Sequence, residues 1–227
     1  AVAFTSDLPR AAGMSSSSTL IVAVYLVLAK ANRLAERDEY RAAIGSLEDL
    51  GGYLGSVENG LDFGPLSGEE GVGTFGGSED QTAILCSRLG ELQQYSYCPV
   101  RHERSLRLPD GMRFVVAVSG VHASKAGAAL GRYNRASLLA STAASVWREA
   151  TGFDDPHLAA ALERGSAVVE ELRAALRAGG SDRFTGQELL DRFEQFRTET
   201  DEILPAAGDA LGRGDLETFG ELVDRSQ

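Results

Sequence analysis

The sequence predicts an α+β chain, mixed in its first half and helical in its second. Three observations predict it. An apolar run over residues 20–29 follows directly on four serines, as at the start of a buried helix. Short β-type segments separated by glycine turns occupy residues 81–119. From Tyr133 onward the pattern is mostly helical.

Taken in order, Ala-Val-Ala-Phe at residues 1–4 reads as a buried strand already under way. Pro9 and Gly13 then turn the chain, and the serines introduce a helix over residues 20–34 that is apolar nearly all round, the pattern of a buried helix. Residues 38–57 read as a second helix, interrupted at Gly51-Gly52. Residues 60–78 are rich in glycine and poor in large apolar groups, so they read as loop. Strands are expected over residues 81–86, 91–99 and 113–119, with turns at 88–90 and 109–111. In the helical half, Asp155-Pro156 starts one helix, with proline at a tolerated first-turn position. Thr185-Gly-Gln-Glu188 is a capping box for the next, and the chain closes on a short helix over residues 218–227. A boundary near Asp80 would separate residues 1–78 from a helix-rich part, residues 79–227.

Length and charge bound the function. The 227 residues suffice for one large or two modest domains with real cores. A net charge of −11 argues against a nucleic-acid partner, because phosphate neutralisation needs clustered Lys and Arg. An acidic protein that handles phosphates must instead place positive potential locally, through helix ends and a metal. Cys86 and Cys98 are too few for a disulfide framework, so a reduced, cytoplasmic setting is the simple expectation. The apolar run of residues 20–29 stops at Lys30, short of the ~20 residues a membrane span needs. No basic, apolar and cleavage pattern opens the chain.

The serine run is the most telling motif. Serines cap the orphan N–H groups of a helix start, yet four in a row after a glycine exceed what one cap requires. Such a start, with converging donors and the positive end of the dipole, suits a phosphate; an ordinary serine-capped loop would give the same letters. No G-x-x-x-x-G-K-[ST] is present. Gly71-Val-Gly-Thr-Phe-Gly76 spells a dinucleotide fingerprint, but no strand precedes it and no helix clearly follows. None of the serines sits in G-x-S-x-G.

Pro9-x-x-x-Gly13-Met14-Ser15-Ser16-Ser17 is similar to the phosphate loop of the GHMP small-molecule kinases, and the triple serine resembles the galactokinase branch. Val57-Glu58-Asn59 resembles the Val-Glu-Asn of that branch, and Phe75-Gly-Gly-Ser-Glu-Asp-Gln81 its Gly-x-x-Asp-Gln element. Three elements in family order are more specific than any one, and the resemblance covers about residues 1–81. It implies a two-lobed, GHMP kinase-like α+β fold, here incomplete at both ends, because the family segments expected before and after are missing; a fragment of this extent would not be a complete enzyme. It also implies transfer of the ATP γ-phosphoryl to a hydroxyl of a small sugar.

The resemblance further implies the roles. Gly13 and Ser15, Ser16, Ser17 and Ser18 would hold the phosphates. Ser17, or Ser16 if the register slips by one, would hold Mg2+ together with Glu58. Magnesium takes hard oxygen ligands, usually one or two from the protein. Asp80 would accept the hydroxyl proton; chemistry alone leaves Glu79 open, and the Asp-Gln pair selects Asp80. Gly77 matches a glycine that contacts the sugar. Tyr133, in Arg132-Tyr133-Asn-Arg135, matches a sugar-contacting tyrosine, although packing would explain it equally. Lys125, in a Gly/Ala-rich segment, reads as a solvated loop lysine, with neutralisation of phosphate the alternative, and the neighbouring His122 carries part of the same resemblance. His102 and His157 have no companions at metal-ligand spacing and read as surface residues. Glu58 and Asp80 are 22 positions apart, wider than the family pattern, with the excess in residues 60–73. Gly76 stands where the family has cysteine, and Ser78-Glu79 where it has apolar residues, so the sugar stays unnamed. A kinase for another small alcohol or sugar derivative, and a catalytically silent sugar/ATP sensor, are the alternatives.

Overall fold

In the computed structural model, which describes residues 3–9, 13–119 and 128–227, the apolar stretch forms helix α1 (Ser16–Ala31). Its composition is apolar all round, yet only Ser18 and Val22 are buried along it. Leu26, Val27 and Leu28 are 47%, 56% and 44% exposed, because α1 packs on its neighbours along one stripe. The expectation of a fully buried helix is corrected to that extent. Residues 3–9 have no regular structure and Phe4 is exposed, so the described part of the expected opening strand is not one.

The second helix is two. α2 (Asp38–Ala43) ends at Ile44, and α3 (Leu47–Asn59) starts at the cap Ser46, whose Oγ accepts from the Asp49 N–H at 3.0 Å. The break therefore falls before Ser46, and the expected interruption at Gly51-Gly52 lies inside α3. Those glycines serve packing: a Cβ on Gly51 would stand 2.9 Å from Thr82 Oγ1. α3 ends on Gly60 in the left-handed region, φ +71°, a conformation that costs glycine nothing.

Residues 79–86 form helix α4 (Glu79–Cys86), not the expected strand. Glu79 and Asp80 occupy its first turn, where negative charge offsets the positive end of the helix dipole. The glycine face of α3 offers it a close seat. Together these outweigh the β-leaning Thr82, Ile84 and Cys86, whose propensity is a weak prior.

Strands β1 (Glu91–Ser96) and β2 (Arg101–Arg107) make a two-stranded antiparallel sheet, Glu91 facing Arg107 and Ser96 facing Arg101, with an irregularity between Gln94 and Tyr95. The β2 sequence, Arg-His-Glu-Arg-Ser-Leu-Arg, shows no apolar alternation and was not expected to be a strand. Polar cross-strand pairs hold it: Arg104 Nε donates to Gln94 Oε1 at 2.7 Å, and Ser96 Oγ to Glu103 Oε1 at 2.6 Å. Gly90 and Gly111 turn the chain at positive φ where expected. Residues 113–119 pair with no strand among the described residues, and Phe114 and Val115 are 70% and 88% exposed.

The chain divides into two compact units, residues 1–130 and 131–227; the lobe boundary expected at 78/79 lies within the first. Val22, Ile44, Leu50 and Leu54 form the first unit's core, edged by the aromatic series Tyr25, Tyr53 and Phe63 with ring centroids 5.7 and 5.9 Å apart.

In the helical half, α5 (Ala128–Thr151) is followed by α6 (Leu158–Leu162), α7 (Val168–Ala178), α8 (Gly186–Arg197), α9 (Leu204–Gly212) and α10 (Leu216–Ser226). α6 starts later than Asp155-Pro156, on the cap His157, whose Nδ1 accepts from the Ala160 N–H at 3.1 Å. Asp155 is committed elsewhere: it is buried and accepts from Trp147 Nε1 at 2.8 Å and from Arg164 Nε at 2.9 and 3.0 Å. The Arg164 bonds, then the Trp147 bond, hold its carboxyl below the usual aspartate range. The Thr185–Glu188 capping box is present in both directions. α10 starts at Leu216, capped by Asp215, slightly ahead of the expected 218. Trp147, Leu172, Leu176, Leu189 and Phe193 are fully buried at the centre of the second unit's core.

The described residues thus mix helix and strand, mainly helix, with the strands in one hairpin, an arrangement compatible with the α+β expectation. Among those residues, no helix is long and apolar enough to cross a membrane.

Candidate functional site

The serine run does not cap α1 with its side chains. Ser15 is the N-cap residue, in the left-handed region at φ +49°, and its hydroxyl makes no capping bond. The first-turn N–H groups, which have no intrahelical acceptors, are thus not met by the cap side chain. Gly13, at φ +74°, has open space where a Cβ would be. The rotational phase of α1 then distributes the serines: Ser17 is exposed, Ser15 and Ser16 are half-buried, and Ser18 is 1% exposed.

Ser18 meets two carboxylates. Its Oγ lies 3.2 Å from Glu58 Oε2 and 3.4 Å from Asp80 Oδ2, bringing together residues 40 and 62 positions apart. Glu58 is 8% exposed on α3, so it is not the solvated glutamate its place near a helix end would suggest. A hydroxyl has one proton to donate, so it satisfies one carboxylate at a time. Among the described residues no basic side chain pairs with either acid. Two acids and a hydroxyl, all hard oxygens from three helices, suit a small divalent cation such as Mg2+, which takes one or two carboxylates and completes its shell with water and phosphate. Among the described residues no group of three or more His, Cys, Asp or Glu is placed to hold a metal, so any cation here rests on this smaller set.

Glycines set the spacing. A Cβ on Gly55 would stand 2.6 Å from Ser78 Cβ and 2.9 Å from its Cα, closer than atoms pack. Gly51 and Gly55 form the i, i+4 face that lets α4 approach α3 and carries Asp80 to Glu58. Gly55→Ala should therefore destabilise the chain by about 1–3 kcal/mol of overpacking, although alanine is the better helix former by ~1 kcal/mol. Gly220→Ala on α10, with open space at its Cβ, is the control and should leave the melting temperature level or raise it. Thermal unfolding of the two variants checks this, and an unaltered Gly55→Ala protein would refute the close-packing account.

The loop after α3 is tied back rather than free. Val72 N donates to Glu58 O at 3.0 Å, and a Cβ on Gly71 would stand 2.4 Å from the Asn59 carbonyl carbon. Asn59 clamps the far end: Nδ2 donates to Gly55 O at 2.7 Å and Gly76 O at 2.8 Å, and Oδ1 accepts from Gly76 N at 2.9 Å. Residues 60–73 thus return the chain to the site despite the wide spacing from Glu58 to Asp80.

Gln81 completes the arrangement. It is 1% exposed, and its Nε2 donates to Glu58 Oε2 at 2.6 Å. Neither Asn59 nor Gln81 was assigned from sequence. Both stand inside the motifs that carry Glu58 and Asp80, but an amide has no chemistry that reveals a role until its partners are known.

The other expected residues divide. Gly77 is exposed, and the Glu79 carboxylate folds over the space a Cβ would fill, 2.2 Å from its position. Tyr133 lies on α5 in the second unit and is 41% exposed. His102 is exposed on β2 and bonded to Gln93 Oε1 at 2.8 Å, whereas His157 is the half-buried cap of α6. Lys125 and His122 lie outside the described residues. Tyr97 registers the local acidity: burial first, then the nearby Glu79 charge, push its hydroxyl up to about 12.

No curated protein and no solved structure matches the chain significantly. Residues 1–62 match the family model described as GHMP kinases N terminal domain, a stretch that holds the serine run and Glu58. For this part of the chain the match supports the GHMP kinase superfamily.

Proposed function

We propose that the chain carries the phosphoryl-transfer centre of a GHMP-type small-molecule kinase that moves the ATP γ-phosphoryl to a hydroxyl of a small sugar, in the manner of galactokinase. The observation that carries this reading is the convergence of Ser18, Glu58 and Asp80 at 3.2 and 3.4 Å from three separate helices. A family of phosphotransferases matches the segment that supplies two of the three.

Each group has a task in that chemistry. The open N-terminus of α1, with Gly13 and Ser15 to Ser18, takes phosphate oxygens through backbone and hydroxyl donors. Glu58 and a serine of the run would hold Mg2+: Ser17, or Ser16, by the resemblance, or Ser18, whose Oγ meets Glu58 Oε2 at 3.2 Å. When bound, the cation neutralises the charge developing on the phosphates. Asp80 accepts the proton of the attacking hydroxyl as its oxygen bonds to the γ-phosphorus and the bond to the bridging oxygen breaks, releasing ADP. Gly77 and Tyr133 are the residues proposed to touch the sugar. The two-lobed arrangement expected of the family, with residues 1–78 on the nucleotide side, belongs to the same proposal.

ADP release from ATP and Mg2+ by the full-length protein, measured across a panel of monosaccharides and small alcohols, tests it. Turnover that depends on a sugar supports the kinase and names its substrate class. Turnover only with a non-sugar alcohol moves the assignment to another GHMP acceptor. Binding of ATP and sugar with no turnover overturns the catalytic reading in favour of a sensor.

A further inference from the structure

Gln81 has one unusual feature for a fully enclosed side chain: half of its amide is engaged and half is not. Nε2 donates to Glu58 Oε2 at 2.6 Å, while Oε1 is buried with no hydrogen-bond partner among the described residues. The amide N–H is the end that faces Glu58 Oε2, which leaves Oε1 without a donor. A buried acceptor without a partner is costly unless something satisfies it. Glu58 Oε2 also lies within reach of Ser18 Oγ, at 3.2 Å. Two donors thus converge on one oxygen of that carboxylate, and Glu58 Oε1 carries no protein hydrogen bond among the described residues.

We propose that Gln81 is a positioning residue for Glu58. Its amide N–H fixes the carboxylate in one rotamer, with Oε1 presented to the cation, and its own Oε1 accepts a donor that arrives with the bound ligand. This rests on the kinase reading of the site and extends it to a residue that acts on the cation through Glu58, the donor to its Oε1 being a water of the cation's shell. α4 carries both functions on successive residues, Asp80 for the hydroxyl and Gln81 for the Glu58 carboxylate, so one helix placement sets both.

The test is Mn2+ binding in the presence of ADP, followed by the loss of the free-ion paramagnetic resonance signal, beside steady-state ADP release and thermal unfolding of the full chain. Gln81→Met keeps the volume and removes the amide; Gln81→Asn keeps the amide on a shorter arm. Gln81→Met should weaken Mn2+ binding roughly 10–100-fold and lower kcat, with the KM for the sugar unchanged. Gln81→Asn should retain part of the affinity. In a Glu58→Gln background, Gln81→Met should cost nothing further, because its effect passes through Glu58.

Mn2+ affinity unchanged in Gln81→Met, or an equal loss in both backgrounds, overturns the inference and makes Gln81 a packing residue. The kinase reading stands in that case so long as the unsubstituted chain binds Mn2+ with ADP. Absence of Mn2+ binding by the unsubstituted chain overturns both.

Discussion

Under the proposed sugar-kinase reading, Asp80→Asn should lower sugar-dependent ADP release by roughly 10²–10⁴-fold, the range of a lost general base. Asparagine has the same shape and can still accept from Ser18 Oγ at its 3.4 Å separation, but it is neutral and cannot take a proton. The loss should therefore fall on kcat more than on the KM for ATP, whose phosphates the proposal assigns to the serine run. Thermal stability should change little, since Asp80 is only half-buried. Glu79→Gln is the paired measurement, because chemistry alone left the neighbouring acid open. Glu79 is exposed and folds toward Gly77, so its variant should keep activity within tenfold. Steady-state rates of both variants decide the matter: a silent Glu79→Gln beside an active Asp80→Asn would transfer the base role to Glu79.

Trp147→Ala produces the largest expected loss of stability. Trp147 is fully enclosed among Leu158, Leu172 and Phe193, and removing a buried aromatic ring costs about 3–5 kcal/mol. That is a large share of the ~5–15 kcal/mol by which domains are stable. The indole also donates to Asp155, whose other partner, Arg164, stacks 3.9 Å above the Phe153 ring. The substitution therefore opens a cavity and thins the hydrogen bonding of a buried carboxylate together. Trp147→Phe separates the two: it keeps most of the ring and loses only the donor, at about 1–3 kcal/mol. Denaturant unfolding followed by far-ultraviolet circular dichroism measures both variants. Equal midpoints for Phe and Ala would mean the hydrogen bond, and not packing, dominates at this position.

Local chemistry was legible wherever the partners are a few residues apart. The Thr185–Glu188 capping box, the glycine turns at 90 and 111 and the loop of residues 60–78 follow from side chains that meet within one turn or one bend. The two acids that meet Ser18 were legible as candidates, since Glu58 and Asp80 stand in recognisable short motifs. α4 was not: eight residues containing Thr, Ile and Cys lean toward strand, and its seat on Gly51 and Gly55 together with the acids of its first turn makes it a helix. β2 was hidden because its strand pairing is polar and leaves no alternating apolar signal.

The sequence by itself determined the mixture of helix and strand, the serine-rich helix start and the two acids that the structure brings to Ser18, because these depend on residue type and on interactions within a few positions. The tertiary structure alone decided that Ser18 is the serine that faces Glu58, that Gln81 and Asn59 hold the surrounding groups, and that α4 delivers Asp80. Those outcomes depend on the rotational phase of α1 and on glycine-permitted contact between α3 and α4. Packing across 40 and 62 residues sets both, and no local pattern encodes contacts at that separation.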